Sequence, residues 1–323
     1  MKRVVVLGCG AWGTAIATVI ASNVISSSLF NEEVIMYARD EIYADRSLVD
    51  WINEDHINPI YLPNYGIPEN VVAKNDVKEV IAKADIIAIA LKSSFLSVHF
   101  DPFMALRFTE CQRHRSYTYF IVGLILFPHE NRVKLVSDLI REQTGKRCVV
   151  VSGATTAIEI AQKQFTEVTI GSKSLDSGEE VKKLLQTSYL KMIITQDDVG
   201  VELCGGIKHV VAIAAGICDG LKLGDNTKAA VLRIGFWEMS ELMKELFPDR
   251  GLLSRVYEFN FFFLGMAHRT DDIPGVGSDL DLVNIAVGRR LSTLEDYTLR
   301  SELSKNTYRT FADGVEYAAQ VIL

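Results

Sequence analysis

The residues with the plainest chemical meaning stand at the start of the chain. Gly8-Cys9-Gly10-Ala11-Trp12-Gly13 fits G-x-G-x-x-G; it follows a strand-like apolar run and opens a helix-like one. In that setting the first glycine makes a tight turn. The second lets backbone approach a pyrophosphate, and the third lets helix and strand pack closely. Free N–H groups at the helix start then face the anion. The pattern points to a dinucleotide site on Gly8, Cys9, Gly10, Ala11, Trp12 and Gly13; a glycine-rich turn without ligand is the plainer alternative. Trp12 is unusual in a generic loop of this kind and is otherwise a packing aromatic. The end of the second strand decides the cofactor. An acid there holds a ribose 2′-hydroxyl, and an arginine holds a 2′-phosphate. Tyr37-Ala38-Arg39-Asp40 offers both types. NAD is the expectation, with NADP open, and Arg39 stacks on adenine, pairs with a phosphate or sits in solvent.

These residues need a sheet to hold them. Arg3–Leu7 is predicted as a buried strand, Ala11 to about Ser22 as a helix, and Val34–Tyr37 as a second strand, with Ser22–Glu33 an inserted loop. Asp76 is a predicted N-cap for a helix ending near Lys83. Asp85–Ala90 is a strand, Phe95–Met104 a helix, Tyr119–Leu126 and Cys148–Val151 strands, and Asn131–Glu142 the helix between them. Asn53–Pro68 is a long Asn- and Pro-rich loop, either a lid or a connection. Apolar strands alternating with helices predict a parallel sheet covered on both faces. Beyond about Lys191 strand signals nearly vanish; Val199–Gly216, Thr227–Phe247 and Leu252–Ala267 are predicted helices. The expected fold class is α/β: a Rossmann-type dinucleotide-binding domain with a mostly parallel sheet over 1–194, plus an all-helical substrate domain over 195–323.

Composition excludes other classes. Apolar residues make up 48% of the 323 and charged residues 23%, enough to bury a real core. A net charge of −7 argues against a nucleic-acid partner. The charge-free stretch Val4–Asn31 behind Lys2-Arg3 imitates a leader or a span, but Gly8, Gly10 and Gly13 interrupt it, and no other apolar run approaches the roughly 20 residues of a transmembrane helix. No membrane association is expected. Five scattered cysteines form no C-x-x-C pair and no zinc-like cluster, so no metal is expected and a reducing, cytoplasmic setting is.

A second block is Gly205-Gly206-Ile207-Lys208-His209, read as beginning a helix, followed by Val210 to Gly216, Asp219-Gly220 and Gly224-Asp225-Asn226-Thr227-Lys228-Ala229-Ala230. With the Gly-x-Gly-x-Trp-Gly loop, Tyr61-Leu62-Pro63, and Ser152-Gly153-Ala154 with Glu159, it closely resembles NAD-dependent glycerol-3-phosphate dehydrogenase of the eukaryotic cytosolic type, from Val4 to about Glu245. The resemblance implies interconversion of dihydroxyacetone phosphate and glycerol 3-phosphate with a nicotinamide cofactor. It makes Lys208 the general acid–base, workable if burial brings its pKa toward neutrality. It places Asn226 and Thr227 near the substrate, with Asn226 alternatively the N-cap of the next helix. It matches Phe95 and Ala157 to dinucleotide contacts, core packing being the alternative for each. The apolar helices after Val199 suggest a homodimer.

The chain departs from the family where substrate is held. Val122 in Phe120-Ile121-Val122-Gly123 replaces a lysine, and His209 stands where asparagine or aspartate follows the catalytic lysine. Thr155 follows Gly153-Ala154, and His268 in Gly265–Thr270 replaces an aspartate. No Arg-Asn-Arg follows; Arg269 or Gly288-Arg289-Arg290 are the remaining guanidinium sources. Losing a lysine and an arginine weakens anion attraction. Two expectations therefore stand: a working dehydrogenase with an unorthodox site, or a dinucleotide-binding member serving as a sensor or interaction subunit. A reductase of an uncharged or differently charged carbonyl compound is the third.

Overall fold

Continuous runs of Val, Ile and Leu have no polar face to turn to water, so such strands must lie in the middle of a covered sheet. The computed structural model describes residues 1–81, 84–91, 118–122, 126–129, 132–153, 155–220 and 223–247. Eight strands form its main sheet: β1 (Lys2–Leu7), β2 (Phe30–Tyr37), β3 (Val71–Lys74), β4 (Ile86–Ile89), β5 (Thr118–Val122), β6 (Arg147–Gly153), β7 (Thr166–Gly171) and β8 (Leu190–Thr195). Their order is β8-β7-β6-β5-β4-β1-β2-β3. All neighbours are parallel except β6 and β7. The order reverses at β1 beside β4, the point where doubly wound sheets open a crevice at their carboxyl ends.

The pleat of β1 divides the core. Val4 and Val6 face one side, with α1 (Ala11–Val24) and Val181, Leu184 and Leu185 of a helix over Leu175–Leu185. Val5 and Leu7 face the other, with Val77, Val80 and Ile81, and with Val136, Leu139 and Ile140 of a helix over Val136–Thr144. Both faces are dry, which is why β1 could be read as an unbroken apolar run. Contacts divide the chain into two compact units: Met1–His129 with Val133–Glu202, and Glu130–Arg132 with Leu203–Leu323.

Several expectations need correction. The inserted loop is short, because α1 runs to Val24 and β2 already starts at Phe30. The fifth strand ends at Val122, not Leu126, and a separate strand spans Leu126–His129. Arg132–Leu135 is strand, and the helix begins only at Val136. Asn53–Pro68 is not a bare loop: a helix over Leu48–Glu54 is followed by an antiparallel pair, Ile57–Asn58 with Leu62–Gly66. The helices expected at Phe95–Met104 and Leu252–Ala267 lie outside the described residues.

Candidate functional site

The turn after β1 is fixed by its own backbone. Gly8 has φ +119°, and a Cβ there would lie 3.0 Å from the Ala90 carbonyl carbon behind β4. A Cβ on Gly13 would press on the Gly8 carbonyl, 2.7 Å from its carbon. Both must be glycine for internal reasons. Gly10 differs: its φ of −63° and ψ of 179° suit any residue, and among the described residues a Cβ would meet nothing within 4 Å. The open space beside Gly10 is of the kind that a close-lying pyrophosphate needs. Gly10 is the N-cap of α1 without a side-chain cap bond, and the first turn carries no acid. The orphan amide donors there suit a phosphate.

A buried polar pair braces the loop. The Thr14 hydroxyl donates to the Cys9 carbonyl at 3.2 Å. Asn58 donates through Nδ2 to the same carbonyl and to Thr14 Oγ1, both at 2.8 Å. Its Oδ1 accepts from the Tyr61 amide at 3.1 Å. Asn58 and Thr14 are fully buried. Cys9 is buried, and burial pushes its thiol pKa up, so it packs rather than reacts. Trp12 and Ala11 lean on the core.

Beyond β2, Arg39 pairs with Glu41, and the Tyr61 hydroxyl lies 3.0 and 2.8 Å from the two Glu41 oxygens. Asp40 is exposed. The acid and the arginine after β2 are thus tied together, in a group of Arg39, Glu41 and Tyr61. Sequence reasoning stopped at Asp40 and missed Glu41; it also missed Asn58, hidden in a stretch read as connection. Ala157 opens a short helix and is buried, against the core. Phe95 lies outside the described residues.

Lys208 sits within a helix, not at its start. Helix α2 here denotes Asp198–Gly220, and Gly205-Gly206 do not interrupt it. Its entry is anchored in the first unit. Asp197 Oδ1 accepts from the Gly200 amide at 2.8 Å. Buried Asp198 pairs with Arg141, which also binds Asp138 at 3.0 Å. Glu202 Oε1 accepts from the Ser137 amide at 3.0 Å, capping a helix whose own N-cap, Leu135, offers no side-chain bond. Glu202 Oε2 is buried without a hydrogen-bond partner among the described residues. Burial raises the Glu202 pKa to about 8, against the Ser137 bonds and Arg141, and Asp138 adds to the rise. Arg141, already paired with Asp138 and Asp198, offsets that burial only in part.

The sign of the linkage follows. Between the ordinary carboxylate value of 4.5 and about 8, the folded state holds a proton that the unfolded state has lost, so stability falls as pH rises through that window. Glu202→Gln keeps the acceptor for Ser137 and removes the charge. It is expected to leave stability at about pH 5 unchanged and to raise it at about pH 9 by on the order of 1–3 kcal/mol. Thermal melts at the two pH values check this; parallel behaviour of variant and wild type would contradict it.

In the second unit, Lys208 is half-buried. Loss of water around its ammonium lowers the pKa to about 8, and Cys204, one turn earlier, acts in the opposite direction. Cys204 Sγ lies 3.9 Å from Met243 Sδ of a helix over Asp225–Leu246, α3. Gly235 lets α3 close on α2: a Cβ there would come within 2.7 Å of the Val211 methyls. The N-cap of α3 is Gly224, so the capping alternative for Asn226 is corrected; the positive φ of Gly224, +84°, turns the chain two residues earlier than the polar pattern suggested. Asn226 is exposed and Thr227 half-buried in the first turn. Among the described residues no three His, Cys, Asp or Glu side chains gather to hold a metal, and no helix is long and apolar enough to cross a membrane.

Two family models match nearly end to end: the N-terminus of NAD-dependent glycerol-3-phosphate dehydrogenase over residues 3–177 and its C-terminus over 197–321. The chain belongs to the NAD-dependent glycerol-3-phosphate dehydrogenase family. Glycerol-3-phosphate dehydrogenase 1-like protein of Mus musculus is 40% identical over 248 residues, 75% of this chain and 67% of that protein. The cytoplasmic NAD(+) glycerol-3-phosphate dehydrogenase of Rattus norvegicus is 37% identical over 245 residues, 75% and 68%. The chain thus spans about two thirds of the curated relatives it matches. Among solved structures, the glycerol-3-phosphate dehydrogenase of Saccharomyces cerevisiae aligns with a TM-score of 0.71 at 26% identity, covering 94% of this chain and 84% of that one. That of Plasmodium falciparum gives 0.72 at 27%, covering 89% and 76%.

The family assignment makes this a nicotinamide-dependent oxidoreductase fold with NAD as its cofactor. The loop fits that group: Gly10 leaves the room, and the uncapped start of α1 supplies the donors. Of the departures, Val122 closes β5 opposite Val151. His209 continues α2, and His268, Arg269 and Gly288-Arg289-Arg290 lie outside the described residues.

Proposed function

We propose that this protein interconverts dihydroxyacetone phosphate and glycerol 3-phosphate in the cytoplasm, with residues 1–194 holding NAD and 195–323 holding substrate. The observation that carries the reading is Lys208: a half-buried helical lysine with its pKa brought to about 8, inside the Gly205–Ala230 block. When bound, NADH supplies the hydride for the carbonyl carbon. Gly8 to Gly13, Arg39, Phe95 and Ala157 would hold the dinucleotide. Lys208 Nζ donates the proton that the carbonyl oxygen must gain, and takes it back in the reverse direction. An amine that titrates near the working pH serves both directions. Asn226 and Thr227, in the first turn of α3, would orient the substrate. Arg269 or Arg289 and Arg290 would supply guanidinium to its phosphate. The apolar helices of the second unit support a homodimer.

A second reading is a dinucleotide-binding sensor or interaction subunit. It is favoured by Val122, which stands at the end of β5 where the family usually carries lysine. Val122→Lys separates the two. In a site built around valine, the new ammonium costs turnover, about tenfold or more. A large gain of turnover with dihydroxyacetone phosphate would instead mark a relic and overturn the first reading.

A further inference from the structure

The family accounts for a dinucleotide, but not for how this chain reads its adenosine end. Residues after the second strand of a doubly wound sheet meet the adenosine ribose, where a carboxylate accepts from the 2′-hydroxyl and repels a 2′-phosphate. Two acids follow β2 here. Asp40 is exposed and adjacent to Arg39. Glu41 is held in place. Its amide donates to the Arg39 carbonyl at 2.9 Å, and its carbonyl accepts from the Leu48 amide at 2.8 Å. Its carboxylate is 21% exposed, within hydrogen-bond reach of the Tyr61 hydroxyl at both oxygens and paired with Arg39, which is 47% exposed. Tyr61 is in turn fixed by Asn58, the residue that also grips the Cys9 carbonyl in the glycine loop. One polar chain therefore runs from the pyrophosphate turn to Glu41. The charges of both Glu41 and Arg39 are felt at the Cys9 thiol, which places the pair beside that turn.

We propose that Glu41, clamped by Tyr61 and Arg39, is the specificity residue that makes this site choose NAD over NADP. Glu41 acts twice. Its carboxylate accepts from the ribose 2′-hydroxyl, and by pairing with Arg39 it withholds the guanidinium that a 2′-phosphate would otherwise recruit. Asp40 takes no part. This inference rests on the dinucleotide site itself and not on turnover, so binding tests it even if the chemistry fails.

The experiment titrates the full chain with NADH and, separately, NADPH, following tryptophan fluorescence. Wild type is expected to bind NADH at least about tenfold more tightly than NADPH. Glu41→Gln is expected to bring the ratio to parity or invert it, mainly by tighter NADPH binding. Adding Arg39→Ala to that variant removes the NADPH gain, and Asp40→Asn leaves the wild-type ratio. Tyr61→Phe, a milder change that keeps the ring, shifts the ratio in the same direction by less. A ratio unmoved in both Glu41→Gln and Tyr61→Phe, or moved instead by Asp40→Asn, would overturn the inference. Wild type binding neither dinucleotide would overturn it together with the reading beneath it.

Discussion

Lys208→Ala is expected to lower turnover of dihydroxyacetone phosphate by about 10²–10⁴, the usual worth of a positioned general acid–base. NADH binding should be retained, because Lys208 belongs to the second compact unit and the glycine loop to the first. The pH dependence carries the same signature with a definite sign. Burial lowers the Lys208 pKa to about 8. Below that value Nζ carries the proton that ketone reduction needs; above it the neutral amine can accept the proton that alcohol oxidation releases. Reduction should therefore fall, and oxidation rise, as pH passes through about 8. Lys208→Ala should flatten both limbs. Steady-state rates in the two directions across that range check it, and limbs that persist in the variant would assign them to another group.

Gly13→Ala and Gly10→Ala should separate folding from binding. At Gly13 the new methyl would press on the Gly8 backbone, which has no flexible end to move aside. A loss of at least about 3 kcal/mol of stability is expected, at the upper end for overpacking. At Gly10 the backbone suits alanine and the methyl enters open space. Stability should stay within about 0.5 kcal/mol of wild type. NADH affinity should nevertheless fall at least about tenfold, as the proposed site lays the pyrophosphate against the backbone there. Thermal melts and NADH titrations read the two effects independently. A Gly10→Ala protein that binds NADH normally would remove the loop from cofactor binding.

What the sequence revealed of this fold follows from burial. β1, β4 and β6 are covered on both faces, so each appears as a continuous apolar run, and the glycine motif after β1 locates itself. β7 and β8 alternate apolar with polar residues, as in Thr166-Glu167-Val168-Thr169, although Thr166 and Thr169 are buried; such a pattern is weaker over six residues. Arg132–Leu135 alternates charge with apolar residues directly before a helix and merges into its pattern. The site was legible where chemistry is local. The G-x-G-x-x-G turn needs only its neighbours, while Asn58 bonds Cys9 from 49 positions away and Glu41 meets the Tyr61 hydroxyl from 20 positions away. No spacing rule connects such residues before the chain is folded. Lys208 was singled out by its block but placed at a helix start, because Gly205-Gly206 look like a break; in the folded chain Gly205 is buried inside the helix.

The most direct measurement is the loss of NADH absorbance when purified full-length protein meets dihydroxyacetone phosphate, with the Lys208→Ala protein run beside it. Steady NADH oxidation by wild type, abolished in the variant while NADH binding persists in both, is the predicted result. NADH binding with no turnover in wild type would contradict it, and would leave a dinucleotide-binding relative whose chemistry has been lost.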